Sequence, residues 1–123
     1  MLYREASQLG KTELLKGSTS MILLSLLSEK EMYGYEITEK VHELSEGYLS
    51  YKEGTLYPAL KRLELSGLVE TYWEKSTDGP RRKYYRITKT GKKALSDQKL
   101  EWNKFQKVMH RIVGDGIAET RTN

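Results

Sequence analysis

Cysteine is absent from the 123-residue chain. That excludes disulfides, thiolate metal sites and cysteine redox sensing. Histidine is scarce: only His42 and His110 occur, 68 positions apart, so a histidine-based catalytic or metal constellation is nearly excluded. No nucleophile–base pair or cluster of metal ligands stands out, and neither an enzyme nor a cofactor is expected. Long apolar runs are missing too. The longest, Met21 to Leu27, is interrupted by Ser25 and falls far short of the roughly 18 residues of a membrane span. The first ten residues carry Arg4 and Glu5 and lack the apolar region of a secretion signal. A cytoplasmic protein is therefore expected. With 37% hydrophobic and 31% charged residues, the chain reads as one folded domain, too apolar for disorder.

The charge that is present is unevenly placed. From Leu49 to Lys93 there are 11 basic and 5 acidic residues, a net of +6, whereas the rest of the chain has 10 and 12, a net of −2. Between Arg81 and Lys93 seven residues are basic and none is acidic. A basic segment on a balanced chain points to a polyanion partner. A solvated surface is the plain alternative.

Hydrophobic spacing divides the chain into elements. Leu14 to Leu27 predicts a largely buried helix, with Leu15, Ile22, Leu23, Leu26 and Leu27 as its apolar stripe. Gly34 to Leu44 predicts a second, with Ile37, Val41 and Leu44 at helical spacing and Gly47 at its exit. Ser50 to Glu53 has the spacing of a capping box and opens a third, from about Glu53 to before Gly67, with Pro58 assigned to its first turn. Leu68–Lys75 and Lys83–Thr88 are rich in β-branched and aromatic residues around a Ser76–Pro80 turn, which predicts a hairpin. Thr88 caps a last helix, Lys89 to about Val113. In it Leu95, Gln98, Trp102, Phe105, Met109 and Ile112 follow heptad spacing.

Three helices followed by a hairpin and a long helix define the expected fold: mainly α with a β-hairpin, a winged helix-turn-helix plus a C-terminal dimerisation helix. The expected organisation is a partly flexible arm over residues 1–10, a DNA-binding domain over 11–88, the dimerisation helix over 89–113 and a disordered tail over 114–123. On a helical wheel the third helix turns Leu56, Leu60 and Leu63 to one side and Gly54, Pro58 and Lys61 to the other, flanked by Tyr57 and Arg62. Leu65 also falls on the outward side, which the pattern does not explain. Arg81, Arg82 and Lys83 directly follow Gly79-Pro80, the expected hairpin tip.

Four segments carry a resemblance to a known family. They are Leu14–Ser18, Tyr33–Ile37, Glu53–Glu64 with Gly67-Leu68 (EGTLYPALKRLE…GL), and Gly79–Thr88 with Gly91 (GPRRKYYRIT…G). In this order they resemble the PadR family of bacterial transcriptional regulators, and the short last helix resembles its smaller subfamily. The departures are Tyr33, where histidine is common, and Thr19, where leucine is common. Neither removes a donor or a charge from the proposed DNA face. The resemblance implies a homodimeric repressor on palindromic double-stranded DNA, often released by a small aromatic or lipophilic effector. On this reading Thr55, Tyr57 and Lys61 face bases, while Lys16, Lys52, Arg81, Arg82 and Lys83 hold phosphates. Tyr33 and Tyr35 add contacts at the start of the second helix, with core packing as the favoured role for Tyr35.

The heptad seam makes Leu95, Trp102, Phe105, Met109 and Ile112 the expected dimer interface, with part of the stripe, Leu95 above all, free to pack on the chain's own first helix. Trp102 matches a tryptophan that, in multidrug-binding PadR regulators, faces its two-fold mate across a pore. The resemblance thus implies an effector site of Gln98, Trp102, Phe105 and Met109, with a plain interface tryptophan as the alternative. The alternative for the whole chain is a winged-helix module for protein–protein interaction.

Overall fold

The computed structural model describes residues 2–114, with side chains described from residue 14 onward. Four helices and three strands occur among these residues: α1 (Leu2–Glu29), β1 (Met32–Tyr33), α2 (Gly34–Leu44), α3 (Glu53–Leu65), β2 (Val69–Ser76), β3 (Gly79–Ile87) and α4 (Lys89–Val113). The strands form one antiparallel sheet in the order β1-β3-β2. This is the winged-helix architecture expected from the order of elements.

The core forms where the apolar faces of α1, α2, α3 and the sheet meet. Leu23 and Leu24 of α1, Ile37 of α2 and Leu60 of α3 are wholly buried, and Leu56, Leu63, Val69 and Tyr85 nearly so. Burying each such side chain is worth about 1.5–3 kcal/mol. Tyr51, just before α3, is also drawn inward, and its hydroxyl donates to Thr19 Oγ1 at 3.4 Å. Thr19 in turn donates to the Leu15 carbonyl at 2.6 Å. Thr19 therefore serves as a polar partner for a buried phenol, whose ionisation is pushed upward by burial.

Several boundaries differ from the expectation. The first helix begins at Leu2, so most of the expected arm, and the boundary at residue 11, fall inside α1. The early segment lacks proline and holds Ala6, Gln8, Leu9 and Lys11, all good helix formers. Ser50 caps nothing: the N-cap of α3 is Lys52, which makes no side-chain cap bond. The burial of Tyr51 sets the chain direction there instead. Pro58 lies inside α3, not in its first turn, and removes the N–H that Gly54 would receive on the exposed side. β1 is too short to show alternation in the sequence. It exists because Met32 and Tyr33 pair with Tyr85 and Tyr84.

The hairpin also turns elsewhere. Ser76 pairs with Gly79, so Thr77-Asp78 is the tip and Gly79-Pro80 belongs to β3. Glu74 pairs with Arg82, which leaves Lys75 facing both Pro80 and Arg81. Such a bulge is a place where proline, having no N–H, fits an antiparallel ladder.

α4 starts as expected, with the Thr88 hydroxyl accepting from the Gly91 N–H at 3.0 Å. Leu95 is 5% exposed and belongs to the central core. It therefore packs in the core of its own chain. Gln98 donates to Ser20 Oγ at 3.1 Å and so turns toward α1, away from the seam. Beyond it Trp102, Phe105, Met109 and Ile112 stay exposed. Gly114 ends the helix with φ +78°. The expected tail lies outside the described residues, apart from Gly114.

Gly91 seats α4 on the domain. A Cβ there would collide with the Leu68 carbonyl oxygen and lie 2.8 Å from Ile87 Cγ1. The backbone oxygen cannot swing aside. Gly91→Ala is expected to lose about 1–3 kcal/mol of unfolding free energy by urea titration, as overpacking does. Full stability in this variant would contradict the close seating of α4.

Candidate nucleic-acid interface

Burial of Leu56, Leu60 and Leu63 against the core leaves the opposite side of α3 in solvent. Gly54, Thr55, Tyr57, Pro58, Lys61 and Arg62 all lie there, as the wheel predicts. Leu65 is 75% exposed, and nothing in the fold explains it. The sheet rises beside this surface. Between α3, the start of α2 and β3 lies an open hollow of about 590 Å³. Tyr33, Tyr57, Lys61, Arg81, Arg82 and Lys83 all line it, together with Gly34, Glu64, Trp73 and Tyr85.

The cations here are held differently from those elsewhere on the sheet. The Arg82 guanidinium lies 4.5 Å from the centre of the Tyr33 ring, and that of Arg81 lies 5.4 Å from Trp73. Neither forms a salt bridge among the described residues. Aromatic faces orient a guanidinium without neutralising it. Arg86 contrasts with them. It binds Glu70 at 2.9 Å, approaches Glu31 at 4.0 Å and covers Tyr72, so its charge is already met. Lys61 and Lys83 lie 3.8 and 4.0 Å from one carboxylate oxygen of Glu64.

Tyrosines carry the outer face of the sheet. Tyr84 of β3 packs edge-on against Tyr33 and stacks on Tyr72, with ring centres 5.4 and 5.5 Å apart. The Tyr72 hydroxyl donates to Glu31, which pushes its ionisation up to about 12. Tyr35, expected in the core, is 64% exposed and stacks on Tyr33. Its position near the N-terminus of α2 places it on the outward side, while Ile37 and Val41 take the core side.

Six of the nine residues expected at DNA thus meet in one hollow. Thr55 and Lys52 are exposed on or beside α3 but do not line it, and Lys16 is exposed on α1. Sequence reasoning missed Trp73, Tyr85, Glu64 and Gly34. Trp73 was legible in principle, because it alternates with Tyr72 and faces Lys83 across the hairpin. Glu64 and Gly34 gave no signal without the third dimension.

A second hollow, about 400 Å³ and mostly apolar, lies between α1, the end of α2 and α4. Met21, Ile22, Leu26, Leu44 and Trp102 form its walls. Of the residues expected at an effector, only Trp102 is present. Gln98, Phe105 and Met109 do not line it.

A three-helix core whose third helix and hairpin share a cationic, aromatic-lined concavity defines a winged helix-turn-helix regulator. The profile of the transcriptional regulator PadR-like family matches residues 23–97. The chain belongs to this family and is a transcriptional regulator. It is 36% identical over 99 residues to a protein of Lysinibacillus sphaericus, covering 80% of this chain and 91% of that one. It is 32% identical over 87 residues to a transcriptional regulator of Mycobacterium tuberculosis, covering 71% and 78%. Among solved structures it is similar to a Clostridium thermocellum transcriptional regulator, with TM-score 0.77, 38% identity and coverage of 82% and 98%. A Clostridium difficile PadR family regulator gives TM-score 0.71, 40% identity and coverage of 79% and 99%. An Eggerthella lenta PadR family regulator gives 0.81, 28%, 94% and 99%.

Gly34 joins α2 to the outward side of α3. A Cβ on it would overlap the far end of the Tyr57 ring, which is 45% exposed and free to swing outward. Gly34→Ala is expected to displace that ring while changing stability by less than about 1 kcal/mol. NMR would show the Tyr57 ring signals moving with the core signals fixed. An unmoved ring would refute the contact.

Proposed function

We propose that the chain is a cytoplasmic, homodimeric repressor that binds a palindromic DNA operator and leaves it when a flat aromatic or lipophilic effector binds. The observation that carries the DNA-binding reading is the gathering of Lys61, Arg81, Arg82 and Lys83 with Tyr33 and Tyr57 on one concave face. On this reading α3 enters the major groove. Thr55, Tyr57 and Lys61 face base edges there, and the glycine and proline on its outward side allow close approach. Arg81, Arg82 and Lys83 hold phosphates beside that groove, and Lys16 and Lys52 hold phosphates further along the backbone. Guanidiniums resting on rings but unpaired with carboxylates are ready for a bidentate phosphate contact. Arg86, already paired, is left out.

The dimer reading rests on α4. Trp102, Phe105 and Ile112 are 45%, 58% and 74% exposed on one stripe, with Met109 between the last two. A two-fold mate would cover them, gaining about 1.5–3 kcal/mol for each side chain fully buried. It would also present two α3 helices to half-sites about 34 Å apart. The effector reading rests on the apolar hollow beside Trp102, whose size is that of a small-molecule pocket. Trp102 belongs to both the seam and the hollow, so a ligand there would press on the helix that sets the dimer.

Arg82→Ala is expected to weaken binding to every duplex and to flatten the dependence of log affinity on log salt by about one unit. An unchanged slope would remove Arg82 from the phosphate set, and wild-type affinity without salt dependence would favour protein–protein assembly. For the effector, planar aromatics are expected to quench indole fluorescence in the wild type and to lose most of that effect in Trp102→Ala. Quenching that persists in this variant would point to Trp73, the other tryptophan.

A further inference from the structure

A carboxylate sits within the surface proposed to receive phosphates, which opposes its task unless the carboxylate has another use. Glu64 lies near the end of α3, and three elements converge on it. Its Oε2 accepts from the Thr71 hydroxyl of β2 at 3.1 Å. Its Oε1 is buried and receives no hydrogen bond among the described residues. Lys61 of α3 and Lys83 of β3 point their ammonium groups at that oxygen from 3.8 and 4.0 Å. These separations exceed those of a charge-assisted hydrogen bond, about 2.7–2.9 Å. The lysines are thus drawn by the charge but not consumed by a direct bond. Lys61 keeps most of its side chain in solvent.

We infer that Glu64 is a positioning residue that fixes the distance between the recognition helix and the wing by drawing Lys61 and Lys83 toward one anchored charge. The inference rests on the DNA-binding reading above. With the two ammonium groups set at a fixed separation, only a duplex whose base edge and neighbouring phosphate lie at that separation meets both Lys61 and Lys83. Groove width varies with sequence, so the pair reads shape in addition to the base edge that Lys61 faces. The negative charge lowers the affinity for any duplex and in return sharpens the choice between duplexes. Thr71 supplies the anchor: without its hydroxyl the carboxylate keeps its charge but loses its fixed place.

Fluorescence anisotropy with two duplexes tests this, one of random sequence and one selected from a random pool by the wild-type protein, each over a range of salt. Glu64→Gln is expected to bind the random duplex several-fold more tightly, with a salt slope steeper by about one unit. Its preference for the selected duplex is expected to fall by about tenfold, the loss of one well-held contact. Thr71→Val keeps the charge, so random-duplex affinity and slope are expected to stay as in the wild type while the preference falls. If Glu64→Gln weakens both duplexes in proportion with an unchanged slope, Glu64 only packs the fold and the inference is overturned. A preference retained in Thr71→Val overturns it also, and this variant decides the matter should Glu64→Gln not fold. A wild-type protein that binds neither duplex in a salt-dependent way overturns the DNA-binding reading itself, and this inference with it.

Discussion

The seating of α3 on α1 governs the rest of the molecule. Leu60 is wholly buried, Leu56 and Leu63 nearly so, and Leu23 and Leu24 of α1 are buried in the same cluster. Because a helix is rigid, fixing these leucines fixes the azimuth of every other α3 side chain. Rotating α3 by one residue, about 100°, would carry Lys61 toward the core and expose Leu56 and Leu63. The outward set of Gly54, Tyr57, Pro58 and Lys61 is therefore a consequence of apolar burial, and any groove-reading role follows from it. The hairpin then closes the concavity, since β2 and β3 follow directly from the exit of α3 and pack Val69 and Tyr85 into the same core.

The sheet separates its cations by partner. On its outer face Arg86 is held between Glu31 and Glu70, beside a row of packed tyrosines. Arg81 rests on Trp73, and Arg82, on the same face of β3 as Arg86, rests on Tyr33, neither with a carboxylate partner among the described residues. A count of charge along the chain treats these arginines alike. The fold makes one group structural and leaves the other available to a polyanion. The same sorting occurs along α4, where Leu95 and Gln98 belong to the domain and the residues from Trp102 onward extend an uncovered apolar stripe.

Much of this was legible in the sequence, and the limits have physical reasons. α2, α3 and α4 follow from helical spacing and from punctuation by Gly47, Gly67 and Gly114, each with positive φ. β1 was hidden because two residues carry no period and gain their identity only by pairing with β3. The hairpin tip was misplaced because Gly79-Pro80 is a strong turn signal, yet here it occupies a bulged strand start. The cap of α3 was misread because Tyr51 is more valuable inside the core than Ser50 is at a helix start. In the site, residue type alone pointed to the lysines and arginines. Glu64 and Gly34 matter through convergence of separate elements, which spacing along one chain does not encode.

The central claim is that one face, built from the outward side of α3 and from β3, receives a nucleic-acid duplex. Titration of the isotope-labelled protein with a short DNA duplex, followed by NMR chemical shifts, tests this claim directly. Shifts are expected to concentrate at Tyr33, Thr55, Tyr57, Lys61 and Arg81 to Lys83 and to fade as salt is raised, with Arg86 and Tyr72 little moved. Shifts centred on α4 or on the outer face of the sheet, or shifts indifferent to salt, would contradict it.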